Sequence, residues 1–321
     1  MVRVSAITPT YNRAAFLDGA IGTALGQTYD DIEIVVVNDG STDDTREVLG
    51  RYAHDDRVRV LHNGTNRGMT ESWNRGVRAA NGEFLCILDD DDRWHPEKVA
   101  KQVALMDRLD EDYAVVYTGG VVTENGTITQ TFVPERRGRI YPAVLGSWRL
   151  SPHSSHMVRR AAFEAVGGFD TAFESGGDWD LSIRLAREYE FEYIAESLVE
   201  RLSHDNNVSA RPEHAEEWGR IAEKYRAELR KYPALEQELY ANWASIRGWH
   251  AINDGQRRRA VRHYRCAFGY EPTAYRLALV AAAMAGPTAF GVLGSIRRAV
   301  HRSVADYGRP DGLSEPSARR V

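Results

Sequence analysis

An α/β fold is what this sequence predicts: a mostly parallel sheet flanked by helices, followed by a helical C-terminal region. Three observations carry the prediction. In the first half, short β-branched runs alternate with longer amphipathic stretches, the rhythm of strands joined by right-handed helical crossovers. Residues 32–37 (IEIVVV) are almost continuously apolar, as a strand covered on both faces requires. From about Ala210 the composition turns to Ala, Arg, Glu and Leu at helical spacing, with no strand signal.

The elements follow in order. Residues 2–8 read as a strand and 13–27 as a helix with Ala14, Leu17, Ile21 and Leu25 on one face. The 32–37 strand stops at Asn38-Asp39-Gly40, where Ser41 or Thr42 offers an N-cap for a helix over 42–52. Residues 57–61 give a third strand, 70–80 a third helix, and 83–88 a fourth strand that runs into four aspartates. Pro96 suits the first turn of a helix reaching residue 109, and 113–117 is a fifth strand. Over 121–132, Asn125-Gly126 sits between alternating Thr, Val and Ile residues, a hairpin signal. Gly167-Gly168-Phe169-Asp170 is a turn, and 179–189 is helical. Two further helices over 257–268 and 272–284 have the spacing of a tetratricopeptide unit, but a single copy cannot bury its own face, so they read as packing helices. The expected organisation is therefore a sheet domain over 1–209 and a helical region over 210–321, with 311–321 disordered.

Composition narrows the function classes. A chain of 321 residues, 43% hydrophobic and 27% charged, is neither disordered, collagen-like nor a polytopic membrane protein. Its net charge of -5 averages two unlike parts: residues 210–321 hold 19 Lys+Arg against 12 Asp+Glu, and residues 1–209 hold 22 against 34. The acidic first part argues against a nucleic-acid partner. Two cysteines, Cys86 and Cys266, make neither a disulfide framework nor a metal motif. The opening residues lead straight into a strand rather than a signal segment, so a cytoplasmic location is expected. Residues 277–296 lack charge but are rich in Ala and Gly and are broken at Gly286-Pro287, which predicts two short helices rather than a membrane span. Arg297, Arg298, His301 and Arg302 follow. The expectation is packing, a homodimer contact, or peripheral contact with an anionic membrane face.

The strongest chemical signal is Leu88-Asp89-Asp90-Asp91-Asp92 at the end of an apolar strand. Carboxylates crowded at a sheet's C-terminal edge repel one another unless a cation joins them, and oxygen ligands suit Mg²⁺ or Mn²⁺. The same run would also serve as a solvated acidic turn, with Asp92 capping the next helix. Asp39-Gly40-Ser41 ends another strand, where Asp39 can accept from a base N–H or a ribose hydroxyl, or simply form a capping turn. Tyr11, in Thr8-Pro9-Thr10-Tyr11-Asn12, reaches the same sheet edge as a stacking surface or as packing. There is no GxGxxG after the first strand and no GxxxxGK[ST], so diphosphate binding would have to run through a cation.

In order along the chain, Ala6–Arg13 (AITPTYNR), residues 33–44 (EIVVVNDGSTDD), Asn66-Arg67-Gly68, Asn81-Gly82-Glu83-Phe84, Leu88–Asp92 and Gly167–Asp170 resemble a family 2 glycosyltransferase of the GT-A fold over residues 2–209. The resemblance implies an inverting enzyme that moves a sugar from a nucleotide diphosphate donor, UDP first, to a hydroxyl of a glycan or lipid-linked acceptor. It implies that Pro9, Thr10, Tyr11 and Asp39 hold the base and ribose, and that Asn66 and Arg67 close over the base. Asp89-Asp90-Asp91 matches the family's DxD motif, with Asp90 toward the ribose and Asp91 on the Mn²⁺ or Mg²⁺. Asp178, in Gly177-Asp178-Trp179-Asp180, falls on the catalytic base, though many relatives carry Glu where this chain has Gly177. His204 matches a late histidine that contacts the metal or diphosphate. On residue chemistry alone, Asp178 would also serve as an N-cap. Two other functions stay in view: transfer to a polyprenyl phosphate, which would need less help from Asp178, and a non-catalytic nucleotide-sugar or glycan-binding subunit.

Overall fold

The computed structural model describes residues 2–147, 150, 152–204, 207, 212–286 and 288–291. These divide into two compact units, one within Met1–Ile140 and Leu150–His204, the other within Tyr141–Arg149 and Asp205–Ser303.

The first unit opens with β1 (Val4–Thr10), α1 (Ala14–Leu25), β2 (Ile32–Asn38), α2 (Thr45–Gly50), β3 (Val58–His62), α3 (Met69–Ala79) and β4 (Phe84–Ile87). These strands pair in parallel in the order β3-β2-β1-β4, with β1 central. All seven residues of β1 and all seven of β2 are buried, which explains the unbroken apolar run at 32–37. Leu17, Ile21, Val36, Phe84, Leu88, Trp94 and Val103 join one core beneath α1. The caps expected at Ser41 and Thr42 are not made: α2 starts at Thr45 with no side-chain cap bond at Asp44. Ser41 instead accepts from the Asn12 amide at 2.9 Å, and Thr42 donates its amide to Asn12 Oδ1 at 2.7 Å. The two hydroxyl residues tie one loop of the sheet edge to another.

The unit continues through β5 (Asp92–Trp94), α4 (Lys98–Met106), β6 (Tyr113–Glu124), β7 (Thr127–Phe132), β8 (Met157–Arg159), α5 (Arg160–Ala165), α6 (Gly177–Glu188) and β9 (Glu190–Leu202). The expected fifth strand is longer than its sequence signal, running as β6 through to Glu124. It turns at Asn125 (φ 51) and Gly126 (φ 75) into β7, the hairpin predicted by Asn-Gly. β8 joins β4 to β6 by antiparallel pairs, and β9 runs parallel to β6 and antiparallel to β5. The result among the described residues is one nine-stranded sheet with helices packed around it.

The second unit is helical: α7 (Pro212–Lys224), α8 (Arg226–Leu229), α9 (Pro233–Asn253), α10 (Arg257–Tyr270) and α11 (Ala274–Ala285). Ala251, Ile252, Ala260, Tyr264, Leu279 and Ala283 form its core, so the pair expected at 257–284 packs against α9. Arg276, 7% exposed, is held by Ala241 O, Ser245 Oγ, Asn242 Oδ1 and Glu271. Among the described residues no helix is long and apolar enough to cross a membrane. Pro287, most of the second expected short helix, the basic residues at 297–302 and the 311–321 tail lie outside the described residues.

Candidate active site

In an open sheet with this strand order, the crevice outside the C-terminal ends of the strands is where a ligand finds free backbone and converging loops. Asp39 follows β2 there. It is 3% exposed, and its amide donates to Thr10 O at 2.9 Å, locking the ends of β1 and β2 together. Its carboxylate accepts from Asn63 Nδ2 at 2.5 Å, from the Arg67 amide at 2.9 Å and from the Gly68 amide at 3.0 Å. Three donors on a carboxylate that can accept about four leave one direction for an incoming N–H or O–H. Gly40 makes this approach possible: its φ is 75, and a Cβ there would lie 2.7 Å from the Thr65 carbonyl carbon. Asn66, exposed, accepts from the Gly68 amide through Oδ1 at 2.9 Å. Tyr11, 43% exposed, precedes Asn12, whose bonds to Ser41 and Thr42 fix its loop against the β2 loop. Pro9, Thr10, Tyr11, Asp39, Asn66 and Arg67 are thereby brought to one edge.

The aspartate run follows β4. Leu88 still bonds to Ile7 O at 3.0 Å, then the Asp89 amide donates to Ser154 Oγ at 3.0 Å and the Asp92 amide to Asp89 O at 3.1 Å. Asp92 does not cap a helix. It begins β5, opposite Arg201 of β9, because the chain must turn back to close the sheet's far edge. Asp91 Oδ2 meets Arg13 Nη1 and His204 Nε2, the latter at 3.1 Å, and Arg13 Nη1 also lies 3.7 Å from Asp90 Oδ1. The His204 ring is stacked on Phe16 with centroids 4.1 Å apart, which holds the imidazole plane in place.

The crowding has an electrostatic cost. Burial pushes the Asp89 carboxyl up to about 7, Asp91 and Asp178 push it the same way, and Arg201 and Arg13 oppose them. Burial likewise pushes Asp90 up to about 7 against the pull of Arg13. Asp92 is held well above the ordinary range, again by burial first and then by Asp89 and Asp91. Burial is the first cause in all three, with the neighbouring carboxylates adding to it.

Asp178 comes from another element. It is the second residue of α6, and its Oδ1 accepts from the Trp179 amide at 2.7 Å. Its negative charge is among the influences that raise the Asp89 carboxyl, after burial and Asp91. Gly177 is small for a physical reason: a Cβ there would sit 2.5 Å from Thr70 Cγ2. Asp180 is turned away, 0% exposed and paired with Arg184 at 2.8 Å.

A divalent cation fits these donors. Asp91 Oδ2 and His204 Nε2, 3.1 Å apart, are a carboxylate oxygen and an imidazole nitrogen, donors that would hold Mn²⁺ or Mg²⁺. Among the described residues no set of three or more His, Cys, Asp or Glu is arranged to hold a metal ion alone. Ligand oxygens and water would supply the other donors, as Mg²⁺ and Mn²⁺ commonly require.

Four contributors have no signal in the sequence pattern. Arg13 ends the AITPTYNR segment and starts a helix but carries no signal of its ion pair, Ser154 and Arg201 lie far from the aspartates in sequence, and Asn63 is a single residue after a strand. Only pairing across the sheet brings them in.

The description "Glycosyl transferase family 2" belongs to a family model that matches residues 5–167. An uncharacterized glycosyltransferase of Rickettsia felis is 29% identical over 241 residues, covering 73% of this chain and 40% of that protein. The chain thus spans less than half the length of this curated relative. Among solved structures, Staphylococcus aureus TarS 1–349 in complex with UDP superposes with a TM-score of 0.60 at 17% identity, over 99% of this chain and 98% of that one. The mannosyltransferase PcManGT from Pyrobaculum calidifontis, in complex with GDP-Man and Mn²⁺, gives 0.59 at 19% identity, over 95% and 87%. At these identities the two structures speak to the fold, which is of the GT-A type.

Proposed function

The chain belongs to glycosyl transferase family 2, and from that premise we propose that it moves a sugar from a nucleotide diphosphate donor to a hydroxyl of a glycan or lipid-linked acceptor, inverting the anomeric centre. The observation that carries this reading is the meeting of Asp91 Oδ2 and His204 Nε2 at 3.1 Å beside the aspartate run, where Asp178 also raises the Asp89 carboxyl. In it, Asp39 takes the ribose or base through its remaining acceptor direction, Tyr11 offers its exposed ring to the base, and Asn66 and Arg67 flank them. Asp90 lies toward the ribose. Asp91 and His204 would hold a Mn²⁺ or Mg²⁺ ion, which when bound offsets negative charge on the departing diphosphate. Asp178 takes the proton from the acceptor hydroxyl as that oxygen attacks the anomeric carbon from the face opposite the leaving group. One displacement needs no second protein nucleophile, and none is assigned. UDP is the first donor to test, since the TarS structure holds UDP; GDP is the second, since PcManGT holds GDP-Man.

The test is a thermal-shift panel of nucleoside diphosphates and nucleotide sugars with and without Mn²⁺, followed by transfer assays of Asp178→Asn. Cation-dependent stabilisation by one nucleotide is expected, because a ligand that binds only the folded state raises its stability. Stabilisation by none, with metal present, overturns the reading. Asp178→Asn should lower transfer by about 10²–10⁴-fold while leaving donor binding intact. Full transfer by this variant would instead favour an acceptor that is already charged, such as a polyprenyl phosphate. Binding with neither transfer nor donor hydrolysis in the unsubstituted protein would favour a non-catalytic subunit.

A further inference from the structure

We propose that Arg13 competes with the divalent cation for Asp91, so that cation and donor diphosphate enter the site as a coupled pair. The inference rests on the reading of the site given above and adds a role for a residue that reading leaves idle. Arg13 Nη1 bonds Asp91 Oδ2, the same oxygen that lies 3.1 Å from His204 Nε2, and it reaches Asp90 Oδ1 at 3.7 Å. The side chain is 11% exposed, so its charge and those of the two aspartates, 10% and 12% exposed, are poorly screened from one another. The guanidinium is also aimed by its backbone. Asn12, in the left-handed region at φ 54, is pinned by Ser41 and Thr42, and Arg13 follows it as the residue that immediately precedes α1.

A cation coordinated by Asp91 Oδ2 and His204 Nε2 would stand beside a guanidinium already bonded to that oxygen, and two like charges that close in a poorly solvated site repel strongly. A bare cation therefore has to displace Arg13 from Asp91 without offering it another anion. A nucleoside diphosphate changes the balance, because its phosphate oxygens are bidentate partners for a displaced guanidinium and further ligands for the cation. Each ligand then raises the other's affinity, which is a coupling free energy between two sites.

Arg13→Gln and, as a second neutral variant, Arg13→Met are titrated with Mn²⁺ alone and with Mn²⁺ at saturating UDP, reading free Mn²⁺ by electron paramagnetic resonance at pH 8. Both variants are checked for folding by thermal melts. Competition predicts that, without nucleotide, the neutral variants bind Mn²⁺ at least about fivefold tighter than the unsubstituted protein, and that UDP then raises Mn²⁺ affinity by at least about fivefold less. A residue that merely held Asp91 in place would give the opposite sign, since its removal would leave that carboxylate unpositioned and weaken Mn²⁺ binding. Equal or weaker uptake by the neutral variants, beside normal UDP-dependent uptake by the unsubstituted protein, overturns the competition alone. If the unsubstituted protein takes up no Mn²⁺ at any UDP concentration, the underlying reading of the site falls, and the competition with it.

Discussion

Asp91 and His204, 113 residues apart in sequence, meet at 3.1 Å between Oδ2 and Nε2. The stack of His204 on Phe16 places the imidazole edge toward the aspartate. An oxygen and a nitrogen so placed suit Mn²⁺ better than Mg²⁺, because imidazole is the softer ligand. His204→Ala should weaken Mn²⁺ binding in the presence of UDP by about 10-fold and narrow the preference for Mn²⁺ over Mg²⁺. Asp91→Asn should weaken both by about 100-fold. Isothermal titration of each metal into each variant, at fixed UDP, measures the two effects. An unchanged Mn²⁺/Mg²⁺ ratio in His204→Ala would remove His204 from the ligand set.

Asp39 joins a fold role to a site role. Its three donors come from Asn63, Arg67 and Gly68, so the segment after β3 is anchored by one carboxylate. Asp39→Ala leaves these donors without their acceptor and should cost about 3 kcal/mol, as hydrogen bonds to a charged group with part of the donors buried imply. Urea unfolding gives the stability. Nucleotide binding should fall further than the stability loss explains, because the same group offers the remaining acceptor direction. Asp39→Asn, which keeps one oxygen, should fall between the two proteins in both measurements.

The parallel half of the sheet was legible because β1, β2 and β3 are short runs rich in β-branched residues, each followed by a helix, and β4 is an apolar run that stops at the aspartates. The aspartate run and the Asn125-Gly126 turn were legible because chemistry and φ restrict which residues can stand there. β9 was not legible. Glu190, Glu192, Glu196 and Glu200 interrupt its apolar residues, and its pairing with β6 shifts register around Gly119, so no clean alternation survives. β5 is three residues long and begins at an aspartate, which read locally as a helix cap. Arg13 illustrates the limit for the site: its partners Asp90 and Asp91 are fixed by the β1–β4 pairing, a contact that no local pattern encodes.

Lys98 gives a test of the core away from the site. It is 0% exposed, lies over the Trp94 ring at 4.1 Å and donates to Gln102 Oε1 at 2.7 Å. Burial pushes its ammonium down to about 8, against an ordinary value of 10.5. Between those two values the unfolded chain holds a proton that the folded chain has shed, so stability should rise as pH rises from about 8 to about 10.5. The gain is at most about 3 kcal/mol. Lys98→Met cannot titrate and should lack this rise. Subtracting its pH profile from that of the unsubstituted protein, by urea unfolding at each pH, isolates the lysine from tyrosines common to both. Parallel profiles would mean that Lys98 keeps an ordinary affinity for its proton.

Gly177 carries no side chain, and Thr70 supplies the reason. A Cβ at 177 would lie 2.5 Å from Thr70 Cγ2, closer than carbon atoms approach without one of them moving. Thr70 is not free to move, since its Oγ1 donates to Phe173 O at 2.9 Å and the residue is 5% exposed. Gly177→Ala should therefore destabilise by about 1–3 kcal/mol through overpacking, despite the better helix propensity of alanine. Thr70→Ser deletes the methyl and keeps the hydroxyl, so in the Gly177→Ala background it should recover most of the loss. A double-mutant cycle by urea unfolding measures this, with a coupling of about 1 kcal/mol or more expected for two residues in contact. Additive effects would mean that the glycine is required by something other than Thr70. Because α6 carries Asp178 one residue later, the single variant should also lower transfer, and the paired variant should restore it in step with stability.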